Sequence, residues 1–244
     1  MKYIILVLSL LWLCIGVAAA QEMSADEILK NVDDALDLSG SVVEIEMQVY
    51  REKQLQRTYR INLKYQDEDH MLGETLYPPR NAGEKSLHVG ENRWLYLPKL
   101  NKVMRVSESN SFSNSDFSNM DIMQSRLGTD YTPKLLGIEQ RDGVEAYKLE
   151  LTAKTDDVPY KTVIYWIRKG DFYPLQRDYY TFSGNLLKRL TLETRTNVRG
   201  GLPDIYIMTS VLEDEKYTIM RISSILSDQV FPPEIFRKDA LMKR

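Results

Sequence analysis

The spacing of apolar positions changes once, early in the chain, at Ser41. Before it, Ile28, Leu29, Val32, Ala35 and Leu36 recur at helical spacing behind Ser24-Ala25-Asp26-Glu27, where Ser24 and Glu27 have the spacing of a capping box. This pattern predicts an amphipathic helix ending near Ser39-Gly40, with an apolar stripe that needs a partner. From Ser41 the period becomes two. Val43, Ile45, Met47 and Val49 alternate with Glu44, Glu46, Gln48 and Tyr50, and Tyr59, Ile61, Leu63 and Tyr65 alternate with Thr58, Arg60, Asn62 and Lys64. Further strands are predicted at 71–77, 86–89, 93–97, 102–107, 131–139, 146–151, 162–168, 174–180, 187–194, 206–211 and 218–225. Turn signals separate them at Gly90-Glu91-Asn92, Asp142-Gly143, Lys169-Gly170-Asp171, Ser183-Gly184-Asn185 and Gly200-Gly201.

The stretch from His88 to Leu127 departs from this rhythm. Arg93 to Leu97 is aromatic and apolar on both faces, which suits a strand covered on both sides, and Pro98 ends it. A second strand from Lys102 returns beside it. Residues 107–115 then hold five serines and two asparagines, a loop composition. Phe117, Met120, Ile122, Met123 and Leu127 follow at helical spacing, with Ser115 or Ser118 as the cap and Asp116 and Asp121 near the first turn. At the far end, Pro232 and Pro233 stand at a helix start and Ile235, Phe236 and Leu241 are apolar anchors, so a short helix or turn is expected to dock on the sheet. The sum is an α+β, mainly β domain. Three helices and about eleven to thirteen strands fit one long, curved antiparallel sheet curled over helices.

Composition narrows what such a domain can do. Lys2, an apolar run to Val17 and Ala18-Ala19-Ala20 read as a secretory signal peptide over residues 1–20, cut before Gln21, which leaves residues 21–244 as one domain. A membrane anchor is the competing reading, but the run is short for a spanning helix. A lipidated Cys14 is disfavoured by the bulky Trp12 and Leu13 before it. Cys14 is the chain's one cysteine, so the processed chain offers no disulfide, thiol nucleophile or cysteine metal ligand. Loss of Lys2 moves the net charge from −3 to −4, which is too acidic to track a nucleic-acid backbone. A periplasmic location follows.

Catalytic chemistry is sparse. The chain has two histidines, His70 and His88. His70 stands beside Asp67, Glu68 and Asp69, which reads as a solvated hairpin tip in preference to a metal site or a general base; His88 reads as a surface or edge residue. Neither a nucleophile elbow nor a zinc, phosphate-loop or dinucleotide motif is present, and the serine-rich loop has no nearby histidine base. No catalytic residue, metal or cofactor is expected. Fifteen tyrosines, six phenylalanines, three tryptophans and ten methionines are in excess instead. They serve either as core filling or, around a cavity, as an adaptable apolar lining.

One set of residues carries a family resemblance. Trp94, Tyr96 and Pro98, then Lys99 and Lys102, Val103, Arg105 and Val106, then Ser115-Asp116-Phe117-Ser118 with Asp121 and Ile122, resemble the signature of the LolA-like outer-membrane lipoprotein-sorting family. The similarity extends to the closing segment 231–241. It implies an unclosed β-barrel with helices as a lid over a hydrophobic cavity. On that basis the candidate lining is Leu29, Val32, Leu36, Ile45, Met47, Ile61, Leu63, Trp94, Tyr96, Phe117, Met120, Met123 and Trp166. It further implies a carrier of lipoprotein acyl chains or envelope lipid, with an inner-membrane transporter and an outer-membrane acceptor as partners. The rival expectation is an accessory or sensor module of an inner-membrane transporter, with a filled core. An enzyme acting on envelope lipid is the weakest of the three.

Overall fold

The computed structural model describes residues 23–123 and 127–243, without the Met123 side chain; the expected leader, residues 1–20, lies outside the described residues. Helix α1 (Ala25–Leu36) starts with the expected capping box: Ser24 Oγ accepts from Glu27 N, and Glu27 Oε2 accepts from Ser24 N at 2.9 Å. Ile28, Leu29, Val32 and Leu36 are its buried face.

Thirteen strands follow, all paired antiparallel. They are β1 (Ser41–Arg51), β2 (Gln54–Asp67), β3 (His70–Tyr77), β4 (Lys85–Val89), β5 (Asn92–Leu97), β6 (Lys102–Arg105), β7 (Tyr131–Arg141), β8 (Val144–Ala153), β9 (Thr162–Arg168), β10 (Pro174–Tyr180), β11 (Leu186–Glu193), β12 (Ile205–Ser210) and β13 (Tyr217–Leu226). Their order in the single sheet is β6-β5-β4-β3-β2-β1-β13-β12-β11-β10-β9-β8-β7. The chain therefore starts in the middle, meanders to one edge, and later meanders back from the other edge until β13 pairs with β1. β6 and β7 stay unpaired to each other, so the barrel is not closed. One connection alone spans from edge to edge, and it contains the serine-rich loop and helix α2 (Asn119–Met123).

Alternation along the strands creates two apolar layers. Val43, Ile45, Met47 and Val49 of β1 and Tyr59, Ile61 and Leu63 of β2 join α1, Phe112, Phe117, Met120 and Ile122 in the main core. The opposite face of β3 to β6 supplies a smaller core, in which Leu87, Trp94, Tyr96 and Val103 pack with Phe231, Phe236 and Leu241 of the C-terminal segment.

Two local expectations change. The helix expected over Phe117 to Leu127 begins later, because Ser118 is the cap: Ser118 N donates to Asp121 Oδ2 at 2.7 Å and Asp121 N donates to Ser118 Oγ at 3.3 Å. Asp116 precedes the helix and bonds to the sheet. The C-terminal segment keeps to the expected short helix or turn, as two 3-10 turns, Pro233–Phe236 and Lys238–Met242, docked on the sheet. His88 is not on the surface: it lies in interior strand β4, is 3% exposed, and its Nε2 is 2.6 Å from the Gly90 carbonyl oxygen. His70 sits at the β2–β3 turn, with Nδ1 2.8 Å from Asp67 Oδ1.

Candidate functional site

The edge-to-edge connection lies over the sheet like a strap, and its composition explains how it stays there. Ser113 and Asn114 adopt left-handed backbone with φ of 50° and 54°, closing a tight reversal in which Phe112 N donates to the Phe117 carbonyl at 2.8 Å. Small polar residues tolerate that geometry, and the two phenylalanines it brings together are both buried in the main core. Ser115 Oγ donates to the Phe112 carbonyl at 2.7 Å. Asp116 Oδ2 accepts from Thr218 Oγ1 on β13 at 2.6 Å and from Arg51 Nη1 on β1 at 2.9 Å.

A second fastening sits one helical turn further on. Asp121 Oδ2 accepts from Lys188 Nζ of β11 at 3.0 Å and from Tyr160 OH at 2.8 Å, and Lys188 Nζ also donates to the Asp116 carbonyl at 2.8 Å. Tyr65 OH of β2 donates to the Ile122 carbonyl at 2.9 Å. Helix α1 is tied in the same manner. Arg199 Nη2 donates to the Leu36 carbonyl at 3.1 Å, using a carbonyl that the helix end leaves unpaired, and the Gly128 N–H donates to Asp33 Oδ2 at 3.0 Å. Burial pushes the Tyr160 hydroxyl well above its ordinary range, with the Asp121 charge adding to the effect. These fastenings are charge-assisted or buried bonds, the stronger members of their class.

Between the two helices and the sheet is a cavity of about 80 Å³, lined by Leu36, Leu38, Val43, Ile45, Leu63, Tyr65, Ile122, Tyr206, Met220 and Ile222, with Asp121, Arg177 and Arg199 as its charged members. That is room for about two or three waters. Arg177 enters from β10, opposite Tyr165 on β9 and Leu190 on β11, both main-core residues. Its guanidinium lies 4.4 Å from the Tyr165 ring centre and Nη2 donates to Tyr165 OH at 2.9 Å. Burial pushes the Tyr165 hydroxyl up to about 12, against the opposing pull of Arg177.

Leu36, Ile45 and Leu63 line this cavity. Leu29, Val32, Met47, Ile61, Phe117 and Met120 are buried in the same main core around it. The Met123 side chain is outside the described residues. Trp94, Tyr96 and Trp166 belong elsewhere: Trp94 and Tyr96 pack in the smaller core under the C-terminal segment, away from the cavity. Trp166 stands next to core residue Tyr165, so strand alternation turns it to the other face, where Arg141 lies 4.2 Å from its ring centre and its indole N–H donates to Glu139. Of the remaining signature residues, Pro98 opens a 3-10 turn, Arg105 is exposed on edge strand β6, and Ser115, Asp116, Phe117 and Asp121 make the fastenings.

Sequence reasoning missed Arg177, Lys188, Arg199, Tyr160 and Tyr206. The available signal was phase: in PLQRDYY, Arg177 shares its parity with Tyr179, a main-core residue, which turns the cation toward the core. Among the described residues no group of three or more His, Cys, Asp or Glu side chains is arranged to hold a metal ion. Among them, too, no helix is long and apolar enough to cross a membrane.

Comparison with known proteins places this arrangement. A family model with the description "Uncharacterized protein" matches residues 67–243. No curated protein matches the chain. A LolA superfamily protein from Nitrosomonas europaea is 26% identical, with 89% of this chain and 99% of that one covered and a TM-score of 0.81. A DUF1329 family protein from Desulfovibrio piger is also 26% identical, covering 89% and 97% at a TM-score of 0.77. A domain from Vibrio parahaemolyticus assigned as an outer membrane lipoprotein-sorting protein shares the fold at 23% identity, covering 90% and 98% with a TM-score of 0.78. The chain belongs to the family of that model, and it has the LolA-like fold.

Proposed function

We propose that this protein is a periplasmic carrier without catalytic activity, which takes up the acyl chains of a lipoprotein or lipid beneath α1 and the strap and passes them toward the outer membrane. The observation that carries this reading is the contrast between the cavity and its cover. The cavity is small and lined chiefly by apolar side chains, and its cover, besides packing Ile28, Val32, Phe117 and Met120 into the main core, is fastened to the sheet by a short set of discrete polar bonds. An acyl chain therefore requires the helices to move outward, and polar bonds of this kind re-form in water or on reclosing more readily than a jigsaw of packed side chains.

The energetics suit reversible cargo. Burying a sixteen-carbon chain yields about 12 kcal/mol gross at about 0.8 kcal/mol per methylene, before ordering and opening costs. Breaking the fastenings of Asp121, Arg199 and Tyr65 subtracts from that gain, so the loaded and empty states lie closer in free energy and the cargo can be released.

The test is native mass spectrometry of the processed protein, purified without detergent, before and after exposure to a diacyl lipopeptide or phospholipid. A stoichiometric acyl-containing adduct is the expected result. A clean apo mass with no uptake of either lipid removes the carrier reading and leaves the transporter-associated module as the alternative.

A further inference from the structure

Two arginines face this small cavity, and neither is bonded to a carboxylate among the described residues. Arg177 donates from Nη2 to the neutral Tyr165 hydroxyl; its Nε is closed off from solvent and has no hydrogen-bond partner among the described residues. Arg199 donates to Tyr206 OH at 2.7 Å and to the Leu36 and Pro203 carbonyls, all neutral acceptors. The acidic member of the lining, Asp121, is already taken up by Lys188, Tyr160 and Ser118. A largely buried guanidinium held by neutral tyrosine hydroxyls and left with an unfilled donor is costly to maintain, and a filled core would be served better by a leucine or methionine at that position. Groups kept at such a cost cluster at binding sites.

We infer that the cavity accepts an acyl chain bearing its own anionic head, a carboxylate or a phosphate, with the head paired to Arg177 between β9 and β11 and the chain laid along Val43, Ile45 and Leu63 toward α1. The inference rests on the carrier reading and sharpens its cargo class. Guanidinium is suited to both heads, because its planar fork matches the oxygens of either.

The experiment compares hexadecanoate, hexadecyl phosphate and hexadecanol below their aggregation limits, by calorimetric titration of the processed protein, for wild type, Arg177→Met, Arg177→Gln and Arg177→Lys. Wild type should bind at least one of the two anions about tenfold or more tightly than the alcohol, and which anion leads names the head. Arg177→Met and Arg177→Gln should lose that preference while binding hexadecanol as before, with thermal midpoints equal to or above wild type, and Arg177→Lys should keep part of it. Equal affinity of wild type for all three probes overturns the inference and leaves the carrier reading standing. A preference that survives in folded Arg177→Met also overturns it. No binding of any probe overturns the inference, and if lipopeptide and phospholipid uptake also fails, the carrier reading falls with it.

Discussion

Lys188 Nζ lies 3.0 Å from Asp121 Oδ2, and this contact joins the interior of strand β11 to helix α2 of the edge-to-edge strap. Both side chains are shielded, with Asp121 at 5% and Lys188 at 11% exposure. Removing one partner of such a pair strands the other charge in a low-dielectric setting. Lys188→Met should therefore lower unfolding free energy by about 3–5 kcal/mol, and Lys188→Met with Asp121→Leu should recover a large part of that loss. Chemical denaturation of the singles and the double measures this. Equal destabilisation in single and double variants would show that the pair is not the source. Under the carrier reading Lys188→Met should also take up acyl chains more tightly relative to its own stability, because one fastening of the cover is already broken.

The opposite face of the sheet gives a contrasting expectation. Phe236 is buried against Leu87 and lies 5.9 Å from both the His70 and Phe231 rings, in the smaller core that has no part in the cavity. Phe236→Ala should cost about 3–5 kcal/mol of stability and leave chain binding unchanged in the fraction that stays folded. Thermal unfolding alongside a lipid-uptake assay separates the two effects. Weaker uptake by the folded fraction would mean that the two cores are coupled through β3 and β4.

Gly73 of β3 lets a cavity-lining side chain sit close. A Cβ at this position would lie 2.9 Å from Leu63 Cδ2, the flexible end of a residue that lines the cavity. Gly73→Ala should push Leu63 aside at a cost of about 1–3 kcal/mol and narrow the interior. The measurable outcome is a shift in chain-length preference toward shorter acyl probes. An unchanged preference would place the cargo away from Leu63.

The strands were legible because their inner rows are nearly unbroken: Val43, Ile45, Met47 and Val49 declare both the strand and its buried face. The cover of the sheet was legible in outline, since Ser24 and Glu27 mark α1 and the serine run marks a loop. Faces were harder to read where both rows are apolar or aromatic. Trp94, Tyr96 and Trp166 look as suitable for a cavity as their neighbours do, and only the pairing of β5 with β4 and of β9 with β10 shows which way each points. His88 misled for a related reason. A strand residue reads as an edge residue until the strand order is known, and β4 turns out to be flanked on both sides. Long-range polar partners were not legible at all. Lys188 and Asp121 are 67 residues apart, Arg199 and Leu36 are 163 apart, and no local pattern announces either bond.

The same buried network sets the alkaline limit of the fold. Tyr65, Tyr131, Tyr160, Tyr165 and Tyr179 all have hydroxyls pushed above the ordinary tyrosine range, in each case chiefly by burial, which penalises the phenolate. Nearby carboxylates add to this at Tyr131, Tyr160 and Tyr179, and Tyr165 reaches about 12. For an acid whose folded value is raised, the native state holds the proton longer than the unfolded chain does. The stabilising contribution is then complete below the unfolded value of about 10 and is lost progressively as pH rises toward the folded value. Stability should decline from about pH 10 upward, with these five tyrosines ionising together with the loss of near-ultraviolet circular dichroism. Tyr160→Phe should remove one late ionisation and, by deleting the bond to Asp121, shift the whole transition to lower pH. Following tyrosinate absorbance and circular dichroism through one titration decides the matter. Ionisation of Tyr65, Tyr131, Tyr160, Tyr165 and Tyr179 near pH 10, with the dichroism intact, would mean that water reaches the interior of the sheet and that the cover over Tyr160 and Tyr165 is already open.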